Sequence, residues 1–127
     1  DEPMHLATMA YQDVNVNIMS TTIIDSAIFN KPIINVGFDI PKDTPANITV
    51  KRFFKRTDYK IIKKTGATEK ANSLEELIKL INYYLENPAD KKKERSELVN
   101  QDVGMVGPVS NKILINRFMN AITNFQE

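Results

Sequence analysis

Cysteine and tryptophan are absent from these 127 residues, and histidine occurs once, as His5. Without cysteine there is no disulfide framework and no thiolate-held metal. A single imidazole leaves no histidine cluster to bind one. No Asp-x-Asp metal motif is present either. Charge of one sign is also lacking. Lys and Arg number 17 against 16 Asp and Glu, a net charge of +1, so no global field argues for nucleic acid. No apolar run approaches the roughly 18–20 residues that a membrane span needs, and no signal-peptide pattern is visible. These absences lead to the expectation of a cytoplasmic protein. Glycine is scarce, with 4 residues, and no Gly-rich loop of the Walker or dinucleotide-binding kind occurs.

What is present suits a soluble globular domain: 42% apolar and 26% charged residues, in a chain long enough for one small core. The opening "DEPMHLATMAYQD" carries no initiator Met and reads as the interior of a longer protein. Met4, Leu6, Met9 and Ala10 there make one side of a short helix.

"DVNVNIM" (residues 13–19) alternates Val14, Val16 and Ile18 with asparagines, the period of a strand. Ser20, Thr21 and Thr22 then offer helix N-caps before a short helix over 23–29. Lys31-Pro32 stops that helix. "IINVGF" (33–38) is the continuous apolar run of a strand covered on both faces. Strand, short helix and strand make a βαβ unit, hence a parallel sheet. Residues 39–50 read as a loop, and the basic run "KRFFKRTDYKIIKK" (51–64) as helical up to Gly66. "ATEKA" (67–71) is a short strand candidate. "SLEELIKLINYYLENP" predicts the clearest helix. Ser73 and Glu76 form a capping box, and Leu74, Leu77, Ile78, Ile81, Tyr84 and Leu85 form an apolar stripe. "ADKKKERSELVNQ" predicts a mostly solvated helix. Pro108 opens a last one, with Leu114, Phe118, Ala121, Ile122 and Phe125 on one side.

The chemistry concentrates in "STTIIDSAIFNKPIINVGFD" (20–39). A strand that ends in small hydroxyl residues and opens a helix makes an anion site. The first helical N–H groups lack helix partners, the dipole favours negative charge, and Ser and Thr add hydroxyl donors. Ligands of open parallel sheets bind at the carboxyl ends of strands. A diphosphate fits Ser20, Thr21 and Thr22. Asp25, one turn on, is placed to accept from ribose hydroxyls. The plainer reading is that these residues only cap the helix and complement its dipole.

The segment "HLATMAYQDVNVNIMSTTIIDSAIFNKPIINVGFD" (5–39) resembles the nucleotide-binding part in the C-terminal half of GT-B-fold glycosyltransferases. Within them it is most similar to CDP-glycerol glycerophosphotransferases, surface-polysaccharide transferases and UDP-N-acetylglucosamine 2-epimerases. The likeness rests on Asp13, Ser20-Thr21, Asp25, Ala27 and Lys31-Pro32-Ile33-Ile34. It departs at "DVGMVGPVSNK" (102–112), where such enzymes often carry Asp-Gly-Lys-Ala, and at Asp25, where many have Glu.

The resemblance implies a Rossmann-like α/β domain over residues 1–127, a truncated C-terminal donor-nucleotide-binding domain. It further implies transfer from a nucleotide-diphosphate sugar or CDP-glycerol, in polysaccharide or teichoic-acid-type synthesis. Ser20, Thr21 and Thr22 would contact the donor diphosphate and Asp25 the ribose. No metal or other cofactor is implied. The catalytic base is unknown: such enzymes usually take it from regions outside this segment, and His5 before a strand is more simply a local cap. The full-length protein is expected to be an enzyme, and these residues alone inactive. An N-terminal domain of the same protein is the expected partner, with self-association through the sheet edge left bare by missing strands. The alternatives are a 2-epimerase sharing the diphosphate site and a non-catalytic flavodoxin-like binding module.

The basic run 51–64 repeats cations at four-residue spacing, as in a solvated helix face. The other reading is an anion-attracting patch that assists donor phosphates or holds the protein at the inner face of an anionic membrane. Phe53, Phe54 and Tyr59 within it invite comparison with single-strand binders, but the balanced net charge argues against nucleic acid.

Overall fold

The computed structural model describes residues 2–104 together with Asn120 and Thr123. Helix α1 (Glu2–Tyr11) leads into strand β1 (Asn15–Asn17), helix α2 (Thr22–Ile28) and strand β2 (Ile33–Val36). After a loop come a 3-10 helix (Val50–Lys55), α3 (Thr57–Thr65), β3 (Glu69–Ala71), α4 (Leu74–Glu86) and α5 (Lys92–Gly104). Among the described residues the three strands form one open parallel sheet in the order β1-β2-β3. The architecture is α/β and Rossmann-like. The last predicted helix, from Pro108 onward, lies outside the described residues, apart from Asn120 and Thr123.

Alternation along β2 builds the two layers. Ile33 joins Ile23, Ala27, Ala67 and Leu98 in one core cluster, under α2, α3 and α5. Its neighbour Ile34 joins Ala71 and Tyr84 in the other, under α4. A strand covered on both faces has no polar side to show, which is why 33–38 reads as an unbroken apolar run. The helix after β1 is short because Asn30 turns left-handed (φ 56°) and Pro32 follows.

Three elements depart from the sequence reading. The basic run is not one helix. Arg56 is extended (φ −71°, ψ 150°) and separates the 3-10 turn from α3. The break removes Lys51 and Lys55 from the helical stack of Lys60 and Lys64, so fewer like charges face one another. Phe54 meets Tyr59 edge-on (4.7 Å between centroids), and the Lys70 ammonium lies 4.5 Å over the Phe54 ring.

The stripe on α4 is split. Leu77, Leu80, Ile81 and Tyr84 pack on the sheet, while Leu74, Ile78 and Leu85 stay about half exposed. At 100° per residue the apolar arc is wider than the surface beneath it. Helix α5 is mostly exposed, as read, and departs only in the face it buries: Leu98 and Arg95 pack against the α2 and α3 side. The capping box of α4 and the stop of α3 agree with what is seen. Ser73 Oγ accepts from Glu76 N (3.1 Å), Glu76 Oε2 accepts from Asn72 N (2.9 Å), and Gly66 ends α3 at φ 73°.

Candidate site at the carboxyl ends of the strands

All three strands end toward the same side, where β1 runs into the hydroxyl turn. Asn17, its last residue, accepts on Oδ1 from the Ser20 N–H (3.2 Å) and so fixes the start of that turn. Met19 between them is left-handed (φ 46°). That backbone is unfavourable for an unbranched hydrophobic residue, in contrast to Asn30, whose type tolerates it. Ser20 Oγ is bonded to Thr22 Oγ1 and accepts from Thr22 N (3.2 Å). Ile23 N donates to Ser20 O and Ile24 N to Thr21 O, each at 3.2 Å. The start of α2 is therefore wound tightly on itself, and three amides expected to face an anion are engaged locally. Thr21, the residue ahead of the helix, makes no side-chain cap bond.

Ser20 and Thr21 line a cavity of about 410 Å³. Met19, Ile23, Ile24 and Ile62 form its apolar part, and Arg56 and Asp58 also line it. Thr22 and Asp25 are not in its wall. Asp25 points to α1, with its Oδ2 3.1 Å from His5 Nε2. The lone imidazole is thus the partner of the predicted ribose acid. Arg56 donates from Nε (3.1 Å) and Nη2 (2.8 Å) to the two oxygens of Asp58.

A second hollow of about 230 Å³ lies at the ends of β2 and β3, lined by Phe38, Asp39, Lys42, Lys51, Asn72 and Ser73. Asp39 is its anchor. It accepts from the Thr49 hydroxyl and from Val50 N (2.8 Å), and these bonds hold its carboxyl below the ordinary range. The long loop is pinned across its whole length by that one carboxylate.

Between the two hollows runs a row of amides. Asn17 pairs in register with Asn35 on β2. Asn35 is fully buried, and among the described residues neither its Nδ2 nor its Oδ1 has a hydrogen-bond partner.

Sequence reasoning singles out the hydroxyl turn and Asp25 and gives Arg56 only as one cation of a run that could attract anions, but it does not single out Asp58, Asp39 or the amide row. Arg56 lies within the four-residue spacing of the basic run and does not stand out from its neighbours there, and the break before α3 brings it and Asp58 to the cavity. Asn15 and Asn17 were visible only as the polar phase of an alternating strand. Among the described residues no group of three His, Cys, Asp or Glu could hold a metal ion, and no helix is long and apolar enough to cross a membrane. No family model matches the chain, and neither a curated protein nor a solved structure does.

Proposed function

We propose that this chain is the donor-nucleotide-binding part of a GT-B-type transferase. It would use a nucleotide-diphosphate sugar or CDP-glycerol in surface-polysaccharide or teichoic-acid-type synthesis. The observation that carries the reading is the cavity beside Ser20 and Thr21 at the carboxyl ends of a parallel sheet. Its volume falls in the range of small-molecule sites, and it combines apolar walls with a few polar groups.

In this reading the diphosphate sits against the Ser20 and Thr21 hydroxyls, with Thr22 behind them bonded to Ser20. The ribose reaches along α2 toward Asp25, which shares a helical face with Thr21 and Thr22. His5 steadies the Asp25 carboxylate for that role. A transferase must stabilise negative charge growing on the leaving diphosphate, and preorganised donors there do so without reorganising. The catalytic base is unassigned.

The test is calorimetric titration of the chain with UDP, CDP, GDP and ADP, together with thermal melts. One base series is expected to bind and to stabilise. Asp25→Ala should lose about 1.5–3 kcal/mol of nucleoside diphosphate affinity, as for a hydrogen bond to a charged group, and should spare inorganic pyrophosphate. Thr21→Ala and Thr22→Ala should each lose about 0.5–2 kcal/mol. If Asp25→Ala and Thr21→Ala change only the melting temperature, these residues are helix caps and the nucleotide site is wrongly placed.

A further inference from the structure

We propose that Arg56 is the cation that receives the anionic end of the ligand in the cavity beside Ser20 and Thr21. Asp58 acts there as a resident anion that holds Arg56 in place until the ligand displaces it. The inference rests on the nucleotide-site reading above and names the group that reading leaves out.

An anion in that cavity needs positive charge. The first amides of α2 are occupied by Ser20 and Thr21 themselves, so the backbone offers little of it. Ser20 and Thr21 contribute hydroxyls, which are neutral. Among the described residues that line the cavity, Arg56 alone is cationic. It stands at the break between the 3-10 helix and α3, in an extended conformation set by the chain on either side. The break thus singles out this one cation from the basic run and delivers it to the cavity that the hydroxyl turn also lines.

The guanidinium is already in the geometry that phosphate recognition requires. Two of its N–H groups donate side by side to the two oxygens of Asp58, and a phosphoryl group accepts the same planar fork. The Asp58 pair is a weak hold. Both side chains are about half exposed, 55% and 51%, so solvent and salt screen their attraction. A diphosphate carries more charge than one carboxylate and more acceptor oxygens, so it wins the exchange. Asp58 meanwhile keeps an extended arginine ordered at the rim, which lowers the entropy lost on binding.

This account predicts opposite signs for the two members of one ion pair. The probes are inorganic pyrophosphate and the nucleoside diphosphate that binds best, titrated calorimetrically at low salt into the full chain. Arg56→Gln should weaken both probes about tenfold or more, the scale of a lost charge-assisted contact. Arg56→Lys should recover part of the loss as a point charge without the fork. Asp58→Asn should tighten both probes by about threefold, because the competing anion is gone and exposed pairs are weak. The Arg56→Gln, Asp58→Asn double variant should match Arg56→Gln alone, since Asp58 acts only through Arg56.

Three results would overturn the proposal. If the wild type binds and Arg56→Gln binds equally well, Arg56 has no role while the nucleotide site stands. If Asp58→Asn weakens binding, the carboxylate is a ligand contact or a structural prop, and its competing role is wrong. If neither probe binds the wild type, this inference and the nucleotide reading fail together. Thermal melts of each variant confirm folding, which an exposed pair should not disturb.

Discussion

The two ends of the sheet treat polar groups in opposite ways. At the amino ends of the strands Arg95 is almost fully buried, at 1% exposure, and its guanidinium is committed on three sides. Nε donates to Asn30 Oδ1 (2.9 Å), Nη1 to the Asp90 carbonyl (2.7 Å) and Nη2 to the Pro88 carbonyl (2.9 Å). One side chain from α5 thereby ties the end of α2 to the α4–α5 connection. Beside it Glu69 is paired with Lys91 and accepts from the Tyr84 hydroxyl (3.3 Å). Burial of Tyr84, with the Glu69 charge second, pushes its pKa well up.

At the carboxyl ends Asp39 is firmly held, but the polar groups around the first cavity are exposed and engaged only with near neighbours. Arg56 and Asp58 are half exposed, Thr21 makes no side-chain cap bond, and the Asn35 amide has no partner among the described residues. One end ties helices together through a buried charge, and the cavity at the other is lined by an exposed ion pair and by Thr21, whose side chain makes no cap bond.

The sharpest way to break this comparison is at Arg95. Arg95→Ala should cost about 3 kcal/mol of stability or more, since it removes several hydrogen bonds from a charged donor and opens a cavity. Urea denaturation measures it. A loss below about 1 kcal/mol, the level of a surface substitution, would show that the amino end is no firmer than the site. Asn35→Val sharpens the comparison from the other side. Replacing an unpaired buried amide with a β-branched apolar residue in a strand should raise stability by about 1 kcal/mol. Destabilisation would mean that Asn35 has a partner in solution.

A smaller effect concerns pH. The Asp39 carboxylate is favoured in the fold by the Thr49 hydroxyl and Val50 N–H, so its folded pKa lies below the unfolded one. Such a group stabilises fully above the ordinary carboxylate pKa of about 4, and this stability disappears as pH falls through the folded value. The urea midpoint should therefore drop on acidification, and part of that drop should be missing in Asp39→Asn. An identical acid profile in the variant would remove Asp39 as the loop's anchor. The smallest change is expected at Thr21, where Ala should alter stability by less than about 0.5 kcal/mol, because the hydroxyl caps nothing.

The sequence displays the parts of this molecule that depend on local periodicity. Val14, Val16 and Ile18 mark β1, the run from Ile33 marks a doubly covered strand, and Ser73 with Glu76 marks the start of α4. Gly66 marks the end of α3 for the same kind of reason: its left-handed backbone is a local demand. Arg95 was invisible because its partners, Asn30 and the Pro88 and Asp90 carbonyls, come together only in the fold. Arg56 was hidden by its neighbours, since a cation among cations carries no signal until the chain breaks at that residue. Ser20, Thr21, Thr22 and Asp25 stood out as candidates because a core does not need them, though only Ser20 and Thr21 line the cavity. Their contacts did not follow from the pattern: Ser20 turns inward to Thr22, and Asp25 turns to His5.

The central claim is that the carboxyl end of the sheet, beside Ser20 and Thr21, is where a nucleoside diphosphate binds. Amide NMR of the labelled chain during titration with UDP, CDP, GDP and ADP tests it most directly. The account predicts saturable shifts, for one base series, at residues 19–25 and 56–58, with the amides around Lys91 and Arg95 unmoved. Shifts centred on the amino end, or no saturable shift with any of the four, would contradict it.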